Sequence, residues 1–144
     1  MPYRLIRTMI ANQTVLCAPP QTSVSKGAAL MRKSKVGAIM VVQGRHLVGI
    51  FTERDALFRV IADGRDADAT RLADVMTPNP QTVHPDKPLR YALHLMFEGG
   101  FRHMPVVEHG QPIGMVSARD SLGPELKEFV SELEVREHIA EVLR

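Results

Sequence analysis

Tryptophan is absent from this chain of 144 residues, and Phe and Tyr together supply only 5%. That leaves no platform on which nucleic-acid bases stack. The only cysteine is Cys17, which excludes an internal disulfide and a thiolate metal cluster. His46, His84, His94, His109 and His138 show no metal spacing with acids or Cys, so no metal is expected. No apolar run approaches the roughly 20 residues that span a bilayer. The segment from Met1 to Gln13 lacks the continuous apolar core of a signal peptide. A reducing, cytoplasmic setting is the expectation. Phosphate-binding P-loops and G-x-G-x-x-G turns are missing. Spacing reveals no nucleophile–base pair and no paired carboxylates, so catalysis is not expected.

Strong charge of one sign is also lacking. The formal net charge is +2, from 18 Lys+Arg and 16 Asp+Glu. Residues 125–144 hold six of those acids and three of the bases, so the rest of the chain is at +5. That bias suits a small anionic ligand and is too weak to argue for DNA.

What is present is an internal repeat that sets Pro20 on Pro85. Residues 20–57 align on 85–122 without a gap, and nine of the 38 positions are identical. Chance gives about two or three at ordinary composition. The identities include Leu30/Leu95, Met31/Met96, Val41/Val106, Val42/Val107, Gly49/Gly114, Arg54/Arg119 and Asp55/Asp120. Each copy reads helix–strand–strand–helix. The predicted helices are 24–32 and 89–97, and the strands are 38–42, 47–51, 104–107 and 112–116. Gly44 and Gly110 mark hairpin turns. Thr52 and Ser117 start the next helices, the first ending at Gly64. A half of about 60 residues buries little core alone, so the two should pack face to face.

Residues 65–82 read as a connector closed by Met76-Thr77-Pro78-Asn79-Pro80. After Pro124 the residues Leu126, Phe129, Val130, Leu133, Ala140 and Leu143 predict an amphipathic helix, its pattern broken near Arg136. The expected division is 1–64, 65–123 and 124–144.

Two segments per half carry chemistry. Val36-Gly37-Ala38-Ile39-Met40-Val41-Val42 precedes Val48-Gly49-Ile50-Phe51-Thr52-Glu53-Arg54-Asp55. Phe101-Arg102-His103-Met104-Pro105-Val106-Val107 precedes Ile113-Gly114-Met115-Val116-Ser117-Ala118-Arg119-Asp120. A strand ending at a helix N-terminus leaves free N–H groups for an anion. A carboxylate there suits vicinal hydroxyls, and Arg54 and Arg119 can reach phosphate. The same spacing is also an N-cap pair, Thr52 with Asp55 and Ser117 with Asp120, which needs no ligand.

Over residues 14–122 the chain resembles a tandem pair of CBS domains, the cystathionine-beta-synthase type of regulatory module. The resemblance implies an α+β fold of two small sheets with helices. It also implies a ligand containing adenosine: AMP, ADP or ATP, with NAD or S-adenosylmethionine as alternatives. Such a molecule is a regulatory ligand, and no catalytic cofactor is expected. By resemblance, the Asp55 site includes Thr52 and Arg54 and is completed by Arg102 and His103, with Thr82 and Val83 nearby. The Asp120 site includes Ser117 and Arg119 and is completed by Thr14, Val15, Gly37, Ala38 and Ile39. The first site offers cationic side chains where the second offers Gly37-Ala38. The expectation is a stand-alone homodimeric module that signals in trans to an unidentified protein, without nucleic acid or membrane. The alternative is a scaffold without a ligand.

Overall fold

The computed structural model describes residues 4–143, with the side chains of residues 121–130 outside the description. The elements are α1 (Ile6–Ile10), β1 (Cys17–Ala18), α2 (Val24–Ser34), β2 (Ala38–Gln43), β3 (His46–Thr52) and α3 (53–61). There follow α4 (Leu72–Val75), β4 (Thr77–Pro78), α5 (Leu89–Gly99), β5 (His103–Glu108), β6 (Gln111–Ser117), a tight turn (Ala118–Leu122) and α6 (Gly123–Val142). The four predicted strands and α2 and α5 are present, each longer by one or two residues, whereas the helix expected from Ser117 is a tight turn and the expected connector holds α4 and β4. The fold is α+β.

The repeat persists at the level of single hydrogen bonds. β2 and β3 are antiparallel with a bulge between Val41 and Val42, and β5 and β6 carry theirs between Val106 and Val107. A bulge adds twist at one fixed point, so its recurrence at the equivalent valines copies a shape as well as a pattern. β1 pairs in parallel with β2 through Ala18 and Val41, and Val83 bridges Val106 in the same sense. α2 buries Val24, Gly27 and Met31, and α5 buries Leu89, Ala92 and Met96. Both helices close alike: Val36 N–H donates to Met31 O and Phe101 N–H to Met96 O, each at 3.1 Å. α3 widens towards its end, where Ala62 N–H reaches Leu57 O, and Gly64 stops it at a φ of 69°.

The two cores do not follow chain order. Ala18, Val24, Met31, Ile39, Val41, Phe51 and Val60 pack with Leu72 and Val75 of α4. Val83, Leu89, Ala92, Met96, Met104, Val106 and Val116 pack with Ile6 and Ile10 of α1. Each half is thus completed by the segment that precedes the other. Arg7 fastens α1 to the second half: its Nε donates to Asp86 at 2.8 Å and its Nη1 to Glu108 at 3.3 Å. The Gln13 carboxamide doubles as a strand backbone, donating to Met115 O at 2.9 Å and accepting from Met115 N–H at 3.0 Å.

α6 departs from its expected amphipathic form. Leu133, Val135, Ile139, Val142 and Leu143 are all exposed. At 100° per residue, Leu133 faces away from Val135, Ile139 and Val142, so this part carries no single stripe. Leu126, Phe129 and Val130 lie outside the described side chains.

Gly49 and Gly114 mark the crossings. A Cβ on Gly114 would sit 2.8 Å from Ile10 Cβ and 2.9 Å from its Cγ2 and Cδ1. A Cβ on Gly49 would meet Met76 Sδ at 2.2 Å, but a thioether end swings away. The branched Ile10 has no such freedom. Gly114→Ala is therefore expected to cost about 1–3 kcal/mol in denaturant unfolding and to expose residues 4–13 to protease. Gly49→Ala should cost less than about 1 kcal/mol. Equal costs would contradict the packing at Ile10.

Candidate functional site

Each hairpin delivers its second strand to a helical start whose first residue is a hydroxyl. At the end of β3, Thr52 N–H donates to Asp55 Oδ2 at 3.0 Å, and Asp55 N–H donates to Thr52 Oγ1 at 3.2 Å. This is a complete capping box. At the end of β6, Ser117 N–H donates to Asp120 Oδ2 at 2.7 Å and the Ser117 hydroxyl to the same oxygen at 3.4 Å. Asp55 is buried, and its second oxygen has Arg59 Nε at 3.6 Å. Arg59 also donates to Val75 O and Met76 O, the last carbonyls of α4. It thereby ties α3, α4 and the carboxylate together.

Both carboxylates border cavities shared by the two halves. The first encloses about 510 Å³, with Thr52, Glu53, Arg54, Asp55 and Arg59 opposite Gly99, Gly100, Phe101, Arg102 and His103. The second encloses about 660 Å³, with Ser117, Arg119 and Asp120 opposite Thr14, Val15, Gly37 and Ala38. Either volume suits a nucleotide-sized molecule.

Three residues assigned by resemblance stand elsewhere. Val83 and Ile39 are buried in the two cores, because side chains alternate along an extended chain and these point inward. Thr82 is exposed outside the first cavity, where Thr77, Pro80 and Gln81 line the wall instead. Arg102 and His103 border the first cavity where Gly37 and Ala38 border the second, and Lys35 adds a cation beside the latter pair. Sequence reasoning passed over Lys35, Gln13, Glu53 and Arg59. Arg59 had a legible signal: it follows Asp55 by one helical turn on the same face.

His103 lines both cavities. Burial pulls its pKa below the ordinary histidine value; Glu53 and Asp120 pull it back up, and Arg102 pushes it further down. Gly37 keeps this wall thin: a Cβ there would lie 3.0 Å from Glu53 Oε1 and 3.3 Å from His103 Nε2.

Two other groups complete the inventory. Folding brings His84, Asp86 and Glu108 within 4.8 Å of one another, a grouping that spacing does not reveal. Arg7 bonds both of those carboxylates, so its guanidinium already occupies the position of a cation. Cys17 is partly buried, which pushes its thiol pKa up and away from reactivity. Among the described residues, no helix is long and apolar enough to cross a membrane.

Known proteins share this fold. The family model for the CBS domain matches twice, at residues 6–62 and 72–120. The mitochondrial CBS domain-containing protein CBSX3 of Arabidopsis thaliana is 37% identical over 109 residues, covering 72% of this chain. The chain spans about half (53%) of that relative's length. A putative signal-transduction protein with CBS domains from Burkholderia ambifaria superposes with a TM-score of 0.76 at 30% identity, covering 81% of this chain and 89% of that one. A CBS domain protein of Pyrobaculum aerophilum, solved in complex with AMP, has the same fold with a TM-score of 0.72 at 24% identity, covering 79% and 88%. With its two matching segments on the two halves of the fold, this chain belongs to the CBS domain family, as a tandem pair.

Proposed function

We propose that this tandem pair is a regulatory module that binds an adenosine nucleotide in the cavities between its halves. The observation that carries the reading is the composition of each cavity. A carboxylate fixed at a helical start by its own cap faces a space bordered by cations and by backbone of the opposite half. The carboxylate suits ribose hydroxyls, and the cations suit phosphate. The ligand class is AMP, ADP or ATP, with NAD and S-adenosylmethionine as alternatives. The AMP complex of the Pyrobaculum aerophilum protein supports adenosine. Because both halves line each cavity, a ligand that prefers one packing of the halves shifts the molecule towards it. The module acts without catalysis, as a homodimer in the cytoplasm, and signals in trans to a partner protein. A scaffold without a ligand is the competing reading, because the capping bonds alone account for both aspartates.

Titration calorimetry with adenosine, AMP, ADP, ATP and a 2′-deoxy analogue separates the two. Asp55→Asn keeps an acceptor for Thr52 N–H, so the unfolding midpoint should move little. Nucleotide affinity at that site should fall about tenfold, because a hydrogen bond to a charged group contributes about 1.5–3 kcal/mol. The deoxy analogue should bind the parent weakly and lose little more in the variant, since both changes remove one interaction. Lost stability with unchanged affinity would leave only the cap.

His103 gives the binding its pH dependence. Burial disfavours the charged imidazole in the free protein. A phosphate in either cavity adds an anion beside the imidazole, which raises its pKa, so binding takes up a proton. Affinity for AMP should therefore rise as pH falls from about 8 to 6, and less so in His103→Gln. Phosphate's own titration is common to both proteins, so their difference isolates the imidazole. Identical profiles would remove His103 from the site.

The dimer has its own check. Leu57, Phe58 and Ile61 on α3 and Phe97 on α5 are exposed apolar side chains beyond those of α6. Light scattering at tens of micromolar should give twice the 16.0 kDa of one chain. A mass of one chain would overturn the dimer.

A further inference from the structure

The two cavities are built from corresponding positions of the repeat, and the correspondence fails in an informative way. Behind each cavity a helix ends in the same hydrogen-bonded turn, whose pivotal residue is left-handed. In the second half that residue is Gly100, at a φ of 72°; in the first half it is Lys35, at 55°. Glycine takes this conformation at no steric cost, whereas a side chain there crowds the backbone. The first half therefore holds a lysine where its own duplicate shows that glycine serves the turn.

Two residues further on the exchange runs the other way. Arg102 borders the first cavity, and its counterpart Gly37 borders the second. The first cavity carries Arg54, Arg59 and Arg102 against Glu53 and Asp55, a formal +1 with His103 neutral. The second carries Arg119 and Lys35 against Asp120, also +1. Without Lys35 the second cavity is neutral. Arg59 has no cationic counterpart either, since Pro124 holds the equivalent position in the repeat.

We propose that Lys35 is a phosphate-recognising cation of the second cavity beside Arg119, replacing across the repeat the guanidinium that Arg102 supplies to the first. This rests on the nucleotide-binding reading and assigns that cavity a phosphate-bearing ligand. An ammonium on a flexible stem at the rim acts as a point charge, so it selects for anionic charge more than for phosphate geometry.

The opposed effects of one substitution provide the test. Methionine methyl NMR isolates the cavity, because Met115 lines the second cavity and not the first. Adenosine, AMP and ATP are titrated into the parent, Lys35→Gly and Lys35→Met. Both variants should bind AMP and ATP about three- to tenfold more weakly by the Met115 signal, with adenosine unchanged. Lys35→Gly should at the same time melt about 2–4 °C higher, as the left-handed position becomes unstrained, while Lys35→Met should not. Equal affinities in all three proteins, or equal losses for adenosine and ATP, would overturn the role of Lys35 and leave nucleotide binding standing. No Met115 response to any of the three molecules in the parent would overturn the reading of this cavity, and the proposal with it.

Discussion

The fold depends on an exchange of short helices. Neither set of strands covers its own inner face. Leu72 and Val75, which lead into the second half, close the first core, and Ile6 and Ile10, which lead into the first half, close the second. A domain of about 60 residues buries too little apolar surface to stand alone, and crossing the leads makes one cooperative unit of two such domains. The crossings need close approach, which is why glycine stands opposite Met76 and opposite Ile10. The glycines of the repeated motif thus serve packing first, and they leave the next residues free to border a cavity.

That arrangement leaves a capping carboxylate free to take the ligand role proposed for it. A capping aspartate is fixed by its own helix, with no ligand required. Asp55 spends one oxygen on Thr52 N–H and keeps the other beside Arg59 at 3.6 Å, too long for a strong bond. A preformed acceptor with spare capacity is what a small polar ligand selects, because binding then orders little. The halves supply complementary parts: the helical start with Arg54 and Arg59, or with Arg119, from one, and Arg102 or Lys35 with backbone from the other. A ligand between them is sensitive to how the halves sit, the property a regulatory module needs.

Much of this was legible in the sequence because duplication gives every assignment an internal control. Helix faces, strands, hairpin turns and the capping pairs recur from one half to the other, and the bulges fall at the same place in each copy. What escaped were features without a local signature. The crossing of α1 and α4 is a long-range packing choice, and the sequence order points to the opposite pairing. Lys35 acquires meaning only from its left-handed backbone. Ile39 and Val83 were placed at the sites by resemblance, and the alternation of side chains sends them into the cores. The grouping of His84, Asp86 and Glu108 around Arg7 depends on folding that brings Arg7 to Glu108.

The central claim is that a nucleotide occupies the spaces between the halves with its ribose on the capping aspartates. A crystal structure grown with millimolar AMP tests it most directly. The account predicts ribose hydroxyls within about 2.6–3.0 Å of the Asp55 or Asp120 carboxylate. The phosphate should lie towards Arg102 in the first cavity or Lys35 in the second. Empty cavities at that concentration, or AMP bound elsewhere with both aspartates contacting only their caps, would contradict it.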